Sequence, residues 1–228
     1  MTPLFGASPC HRPMHMPDNP SDLAIRRSYH HGDLRQSLID AGLTLAREGG
    51  PQAIVLREAT RRAGVAPNAA YRHFANREAL FEAVRAQVLA TMAGAIAVEM
   101  QPARQLGDAA ERSRAMLAAV GRSYLAFAQA ETGWFRTAFA RSDEGNVQQE
   151  AAALGPSADP FELLRESLDA MVQAGVLPAE RRAMAEYLAW STVHGMATLM
   201  IDGPLRHSPP GLRAQLTTRL LQMVEKGL

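Results

Sequence analysis

From residue 33 onward the apolar positions recur every three to four residues, and no stretch alternates at strand period over a useful length. That period belongs to amphipathic helices, so the chain is predicted to be all-α. Leu34, Leu38, Ala41, Gly42 and Leu45 form the first stripe. Asp33 and Gln36 read as a capping box that opens it, and Gly49-Gly50-Pro51 closes it. A short second helix is expected from about Leu56 to Ala63, with Gly64 just past its end. Pro67 suits the first turn of a third, where its missing N–H costs nothing. Asn76 caps a fourth, with Leu80, Phe81, Val84, Val88, Met92 and Ile96 on one side.

Five longer helices follow: Gly107 to Gln129, Gly133 to Arg141, Asp159-Pro160 to Ala174, Pro178 to Asp202, and Pro210 to about Lys226. Ser142 to Ser157 reads as a loop, and residues 1–28, rich in Pro, Met and His and without period, read as a disordered tail. The organisation is then a tail, a small head over residues 29–90 and a larger helical body over 91–228.

Composition sharpens this division. The chain of 228 residues carries a net charge of only +1. Between Arg26 and Arg77, however, stand nine arginines against Asp33, Asp40, Glu48 and Glu58, a surplus of +5. A basic front on an acidic body points to an anionic partner at one end. A single cysteine, Cys10, excludes an intramolecular disulfide and fits a reducing cytoplasm. The first twenty residues hold five prolines and no apolar run of a signal peptide. The most apolar window, Val88 to Val98, is too short to span a bilayer, so no membrane partner is expected.

Two short helices around Gly-Val-Ala-Pro form a helix-turn-helix pattern, in which the second short helix lies in the DNA major groove. The residue types suit that task. Arg57, Arg72, Tyr71 and His73 can donate to phosphates, and Asn68 can pair bidentately with adenine. Ala69 and Ala70 let the backbone approach closely, their methyls reaching thymine methyls, Pro67 at the start of the same helix is a further DNA-binding candidate, and Phe74 points back into the core with Val65. Arg26, Arg27, Tyr29 and His30, with His31, precede the first helix as an arm on phosphates or in the minor groove.

"YHHGDLRQSLIDAGLTLAREGG" followed by "LREATRRAGVAPNAAYRHFANREAL" resembles the DNA-binding domain of the TetR family of bacterial transcription regulators. Ala63-Gly64-Val65, Tyr71-Arg72-His73-Phe74 and Asn76-Arg77-Glu78-Ala79-Leu80 carry the likeness, and Arg77 takes the basic position that meets a phosphate. Trp190-Ser191-Thr192-Val193-His194-Gly195 further resembles the Trp-x-x-x-His-Gly motif of one branch of that family. Departures stand at Val55 and Ala66, where Ser or Thr usually caps the two short helices, and at Thr60, where Ala is usual.

The resemblance implies a dimer that binds a palindromic operator on double-stranded DNA, probing it with paired heads, and a body that takes a small-molecule effector. Leu188, Gly195 and Leu199, with Leu212, Leu216, Leu220 and Met223, offer stripes for a four-helix homodimer contact, or for an internal core. Met116, Tyr124, Phe127, Trp134, Phe135, Phe139, Trp190 and His194 are candidates to line an apolar pocket. The helix beginning at Arg77 joins the two parts and is the expected lever. No catalytic residues, metal ligands or cofactor site emerge: Cys10, His11 and His15 lack a second ligand pair, and there is no phosphate loop or nucleophile elbow. A ligand-responsive repressor is the expectation. The alternatives are an adaptor that binds protein through the same fold, and an enzyme using His194 with Tyr124 or Tyr187.

Overall fold

The computed structural model describes residues 20–140 and 159–228, the first fourteen of these as backbone alone. Among the described residues the architecture is all-helical, with nine α-helices. They are α1 (Pro20–Gly49), α2 (Leu56–Arg62), α3 (Pro67–Ala70), α4 (Arg77–Arg104), α5 (Ala109–Ala130), α6 (Thr132–Ala138), α7 (Pro160–Gln173), α8 (Ala185–Ile201) and α9 (Pro210–Gly227). The expected loop from Ser142 to Ser157 lies outside the described residues, as do residues 1–19 of the expected tail.

Several boundaries fall where the sequence places them, for local reasons. The Asn76 side chain accepts the Ala79 N–H at 2.8 Å, and that of Asp159 accepts the Phe161 N–H at 2.9 Å. Gly64 and Gly175 have φ of 68° and 67° and end α2 and α7. After Gly64 the Val65 N–H reaches the Thr60 carbonyl and the Gly64 N–H reaches that of Arg61, so the last turn of α2 is satisfied.

Three expectations are corrected. Helix α1 does not begin at Asp33; its backbone is helical from Pro20, so residues 20–28 are not tail. Gln36 turns forward to donate to Asp40 at 2.9 Å instead of reaching back to a cap. The helix expected from Pro178 is broken: a 3-10 turn spans Ala179–Arg181, and α8 starts only after Met184, whose φ is 64°. Arg182 ties this break to α7 by donating to Asp169 at 2.6 Å. Finally, an apolar stretch long enough to cross a bilayer does exist, since α4 meets that criterion by length and composition. It serves as the core helix, with Leu80, Phe81, Val84, Val88, Met92 and Ile96 all buried. A side chain at Gly42 would meet Val84 Cγ2 at 2.5 Å, so α1 and α4 approach closely there. Burial of such side chains, worth about 1.5–3 kcal/mol each, sets α1, α5 and α6 around α4.

Candidate nucleic-acid interface and ligand cavity

Helices α2 and α3 meet through the Gly64 turn, and their faces divide cleanly. Ala70 and Phe74 are buried, with Val65 packed against the same core, while Pro67, Asn68, Tyr71 and Arg72 are exposed and Ala69 and His73 half-buried. Tyr71 keeps 60% of its surface. The expected thymine contact of Ala70 is therefore overturned, because its methyl is inside the core. Beyond α3 the chain stays in tight turns, with the Phe74 N–H on the Ala70 carbonyl at 2.9 Å. Neither Val55 nor Ala66 supplies a side-chain cap. Thr60 is buried, and its hydroxyl donates to the Arg57 carbonyl at 2.7 Å, which accommodates a polar group at an apolar position.

The arginines of the front are not equivalent. Arg61 donates to Glu58 at 2.6 and 2.9 Å, and Arg62 to Glu48 at 2.6 and 3.0 Å. The Arg61 hydrogen bonds pull the Glu58 pKa down to about 2, so this cluster stays ionised and internally compensated. Arg57 and Arg72 are exposed, and among the described residues neither has a carboxylate at ion-pair distance. Arg77, expected at a phosphate, donates to the Ile54 and Pro51 carbonyls, each at 2.9 Å. It pins the turn ahead of α2 to the start of α4. Of Arg26, Arg27, Tyr29 and His30 only the helical backbone is described.

The body meets the front at α6. The Trp134 indole N–H donates to the Leu43 carbonyl of α1 at 2.8 Å, and the Arg47 guanidinium lies 5.2 Å from the Trp134 ring centroid and pairs with Glu131. A side chain at Gly133 would come within 2.3 Å of the Ala46 carbonyl oxygen and 2.4 Å of that of Arg47. Only glycine allows so close a seat. Helix α4 also spans both parts, yet this inter-part polar contact belongs to α6.

A cavity of about 220 Å³ lies between α5, α7, α8 and α9. Tyr124, Phe139, Phe161 and Trp190 form its aromatic end, beside Asp159. Leu117, Leu164, Val193 and Leu221 make apolar walls, and Arg114, Gln222 and Glu225 stand at the end shared by α5 and α9. Three of the eight expected lining residues, Tyr124, Phe139 and Trp190, are brought together here. Phe135 and His194 stand just behind, their rings stacked at 5.5 Å. Met116, Phe127 and Trp134 do not line the cavity: Met116 and Phe127 are buried in the core on an adjacent face of α5, and Trp134 stacks on Phe127 at 6.4 Å, toward α1.

Polar atoms at the aromatic end are satisfied among themselves. The Trp190 indole N–H donates to the Tyr124 hydroxyl at 3.1 Å, and that hydroxyl lies 2.8 Å from His194 Nδ1. With the Tyr124 oxygen accepting from the indole, the arrangement that gives its own buried proton a partner has it donate to Nδ1, and the neutral imidazole then carries its proton on Nε2. Burial pushes the Tyr124 pKa far up and that of His194 down, which keeps both neutral. Asp159, 6% exposed, is likewise raised by desolvation, partly offset by the Phe161 N–H. Among the described residues no His, Cys, Asp or Glu cluster suits a metal ion. The residues of α7 and α9 were missed in the sequence. Asp159 reads there only as a cap, and Leu221 sits one position from a stripe that looks like a dimer contact.

Residues 38–84 match the family model described as bacterial regulatory proteins, tetR family, and residues 117–224 match that of the tetracyclin repressor-like C-terminal domain. No curated protein matches the chain. Among solved structures the chain is similar to a protein of unknown function from Rhodococcus sp. RHA1, at 24% identity and TM-score 0.67, over 88% of this chain and 97% of that one. It is also similar to the transcriptional regulator FadR from Bacillus subtilis in complex with stearoyl-CoA, at 17% and 0.64, over 85% and 98%. A third is SmeT, repressor of the Stenotrophomonas maltophilia multidrug efflux pump SmeDEF, at 18% and 0.57, over 85% and 89%. At these identities the likeness is one of fold.

Proposed function

Given that the chain belongs to the TetR family of bacterial regulatory proteins, whose members are transcription regulators and not enzymes, we propose that it is a cytoplasmic, ligand-responsive repressor that binds a palindromic operator as a homodimer. The observation that carries this reading is the split of α3 into an anchored and a presented face. Ala70 and Phe74 fix it in the core, and Asn68, Tyr71 and Arg72 project from it. Asn68 and Tyr71 then meet base edges and sugar–phosphate, while Arg57 and Arg72 neutralise phosphates. The backbone of residues 26–30 continues α1 as the arm. On this reading the head spans residues 29–90 and the body the residues beyond, and the Trp190-to-Gly195 motif supports placing the body in the Trp-His-Gly branch.

The cavity supports an effector, as does the bound stearoyl-CoA of the FadR neighbour. An effector that favours one arrangement of the aromatic end moves Phe135 and Phe139 of the α6 region, and Trp134 and Gly133 transmit that to α1. The linkage requires only that the effector bind the two states unequally. The test is selection of bound duplexes from a random-sequence pool by the full chain at moderate salt. An inverted repeat is the expected product. Recovery of no motif would turn the reading to the protein-binding adaptor.

A further inference from the structure

The geometry points to the effector being a lipophilic organic cation, its ammonium or iminium charge held between the Asp159 carboxylate and the rings of Phe139, Phe161 and Trp190. This rests on the ligand-responsive reading above and names the chemical class of that ligand.

Charge balance around the cavity favours a cation over an anion. Arg114 is paired with Glu225 at 3.0 Å, and Arg122 with Glu99 at 3.3 Å, so the two cations of the lining are compensated. Both pairs stand half in solvent, Arg114–Glu225 between α5 and α9 and Arg122–Glu99 between α5 and α4. Asp159 is at the other end, 6% exposed, and among the described residues no Arg, Lys or His lies within ion-pair distance of it. One Phe161 N–H is its hydrogen-bond partner there. A carboxylate taken that far from water is costly unless something positive approaches it.

The donor inventory agrees. An anion or a strong acceptor at the aromatic end needs N–H or O–H groups to meet it, and the two that line it are already committed, while the Nε2–H of His194 stands behind them, outside the lining. The Trp190 N–H is given to Tyr124, and the Tyr124 O–H to His194. What remains to face a ligand is ring surface. Phe139 and Trp190 lie 6.0 Å apart, Phe161 and Trp190 5.8 Å, and Tyr124 and Phe139 5.9 Å, all at inclined angles; one face of Phe161 is taken by the Arg165 guanidinium, 4.8 Å from its centroid, which leaves its other face with those of Phe139 and Trp190. Ring faces are negative and attract a desolvated cation, an arrangement suited to quaternary ammonium groups. The apolar walls from Leu117 to Leu221 take the rest of the molecule.

The experiment uses the full-length chain and three probes of one size: phenyltrimethylammonium, its neutral carbon isostere tert-butylbenzene, and benzoate, with binding followed by tryptophan fluorescence. Each is measured on the native protein and on Asp159→Asn. Asparagine caps a helix as well as aspartate does, so the variant removes the charge and keeps the start of α7; an unchanged melting temperature checks this. The expected result is that the cation binds at least tenfold tighter than the isostere, and that Asp159→Asn removes this preference without weakening tert-butylbenzene. Equal binding of cation and isostere, or a preference that survives in Asp159→Asn, overturns the cationic class while leaving an apolar effector site in place. Tightest binding by benzoate overturns it in favour of the arginine end. Binding of none of the three overturns it as well, and the operator reading is then judged by the duplex selection alone.

Discussion

The Tyr124 hydroxyl is the middle member of a buried chain, accepting from Trp190 and donating to His194. Tyr124→Phe leaves an indole N–H and an imidazole nitrogen without partners, at an expected cost of about 1–3 kcal/mol in urea unfolding. A native-like midpoint would mean that water replaces the hydroxyl. The same chain predicts a pH dependence. Burial holds His194 below its ordinary 6.5, so the unfolded chain takes up the proton first. Its contribution to stability is complete above 6.5 and is lost as pH falls through the folded value. The melting temperature should therefore drop between pH 7.5 and 5.5, and His194→Asn should flatten that drop. Asp159, raised by burial, pulls in the opposite sense, so the comparison is the difference between the two proteins. On the DNA side, Arg72→Ala should weaken operator binding and lower the salt slope by about one per head. An unchanged slope would remove Arg72 from the phosphate contacts. The sequence shows the types of Tyr124, Trp190 and His194 and even their helical faces. Their mutual bonding joins residues 66 to 70 positions apart, and no local pattern encodes it.

At the scale of elements, the short α6 is where the body is seated on α1. Gly133 is essential to that seat, because the nearest atoms to an added Cβ are the main-chain oxygens of Ala46 and Arg47, which have no rotamer to yield. Gly133→Ala should thus displace α6, costing about 1–3 kcal/mol as overpacking does, and change operator affinity without touching DNA. A variant with native operator affinity and native stability would show that the two parts are coupled elsewhere, with α4, the element first expected to be the lever, as the next candidate. Elements themselves were largely legible: caps at Asn76 and Asp159, stops at Gly64 and Gly175, and the buried side of α4 all act over three to seven residues. What escaped depends on choices between equal local options. Gln36 can reach back to a cap or forward to Asp40, and it goes forward. Nothing near Met184 announces a left-handed residue; the break follows from Arg182 bonding across to Asp169 on α7.

Across the whole molecule, the exposed apolar surface concentrates on the last two helices. Leu188 and Leu199 of α8 are 60% and 43% exposed, and Leu212 and Met223 of α9 are 43% and 57% exposed. Gly195, between the two leucines of α8, has open space around it, which allows a second backbone to come near. The stripe first read along α9 is thus divided: Leu220 is buried with the core, and Leu212 and Met223 face outward. A two-fold contact through these faces buries each patch against its own copy, and stable contacts of this kind bury on the order of 1,600 Å² in total. In the proposed homodimer the same contact would set the distance between two heads and so couple association to operator recognition. Replacing Leu188 and Met223 together by glutamate puts like charges on both sides of that contact while leaving the buried faces of α8 and α9 untouched. Sedimentation at micromolar concentration should then give a monomer with native helicity and melting behaviour of the isolated chain. Operator affinity should fall by at least a hundredfold, because a single head retains one half-site and the salt-dependent phosphate contacts alone. A double variant that stays dimeric would move the interface off these helices. A monomer that still binds the full operator at native affinity would separate recognition from dimerisation, and the palindromic reading would fail with it.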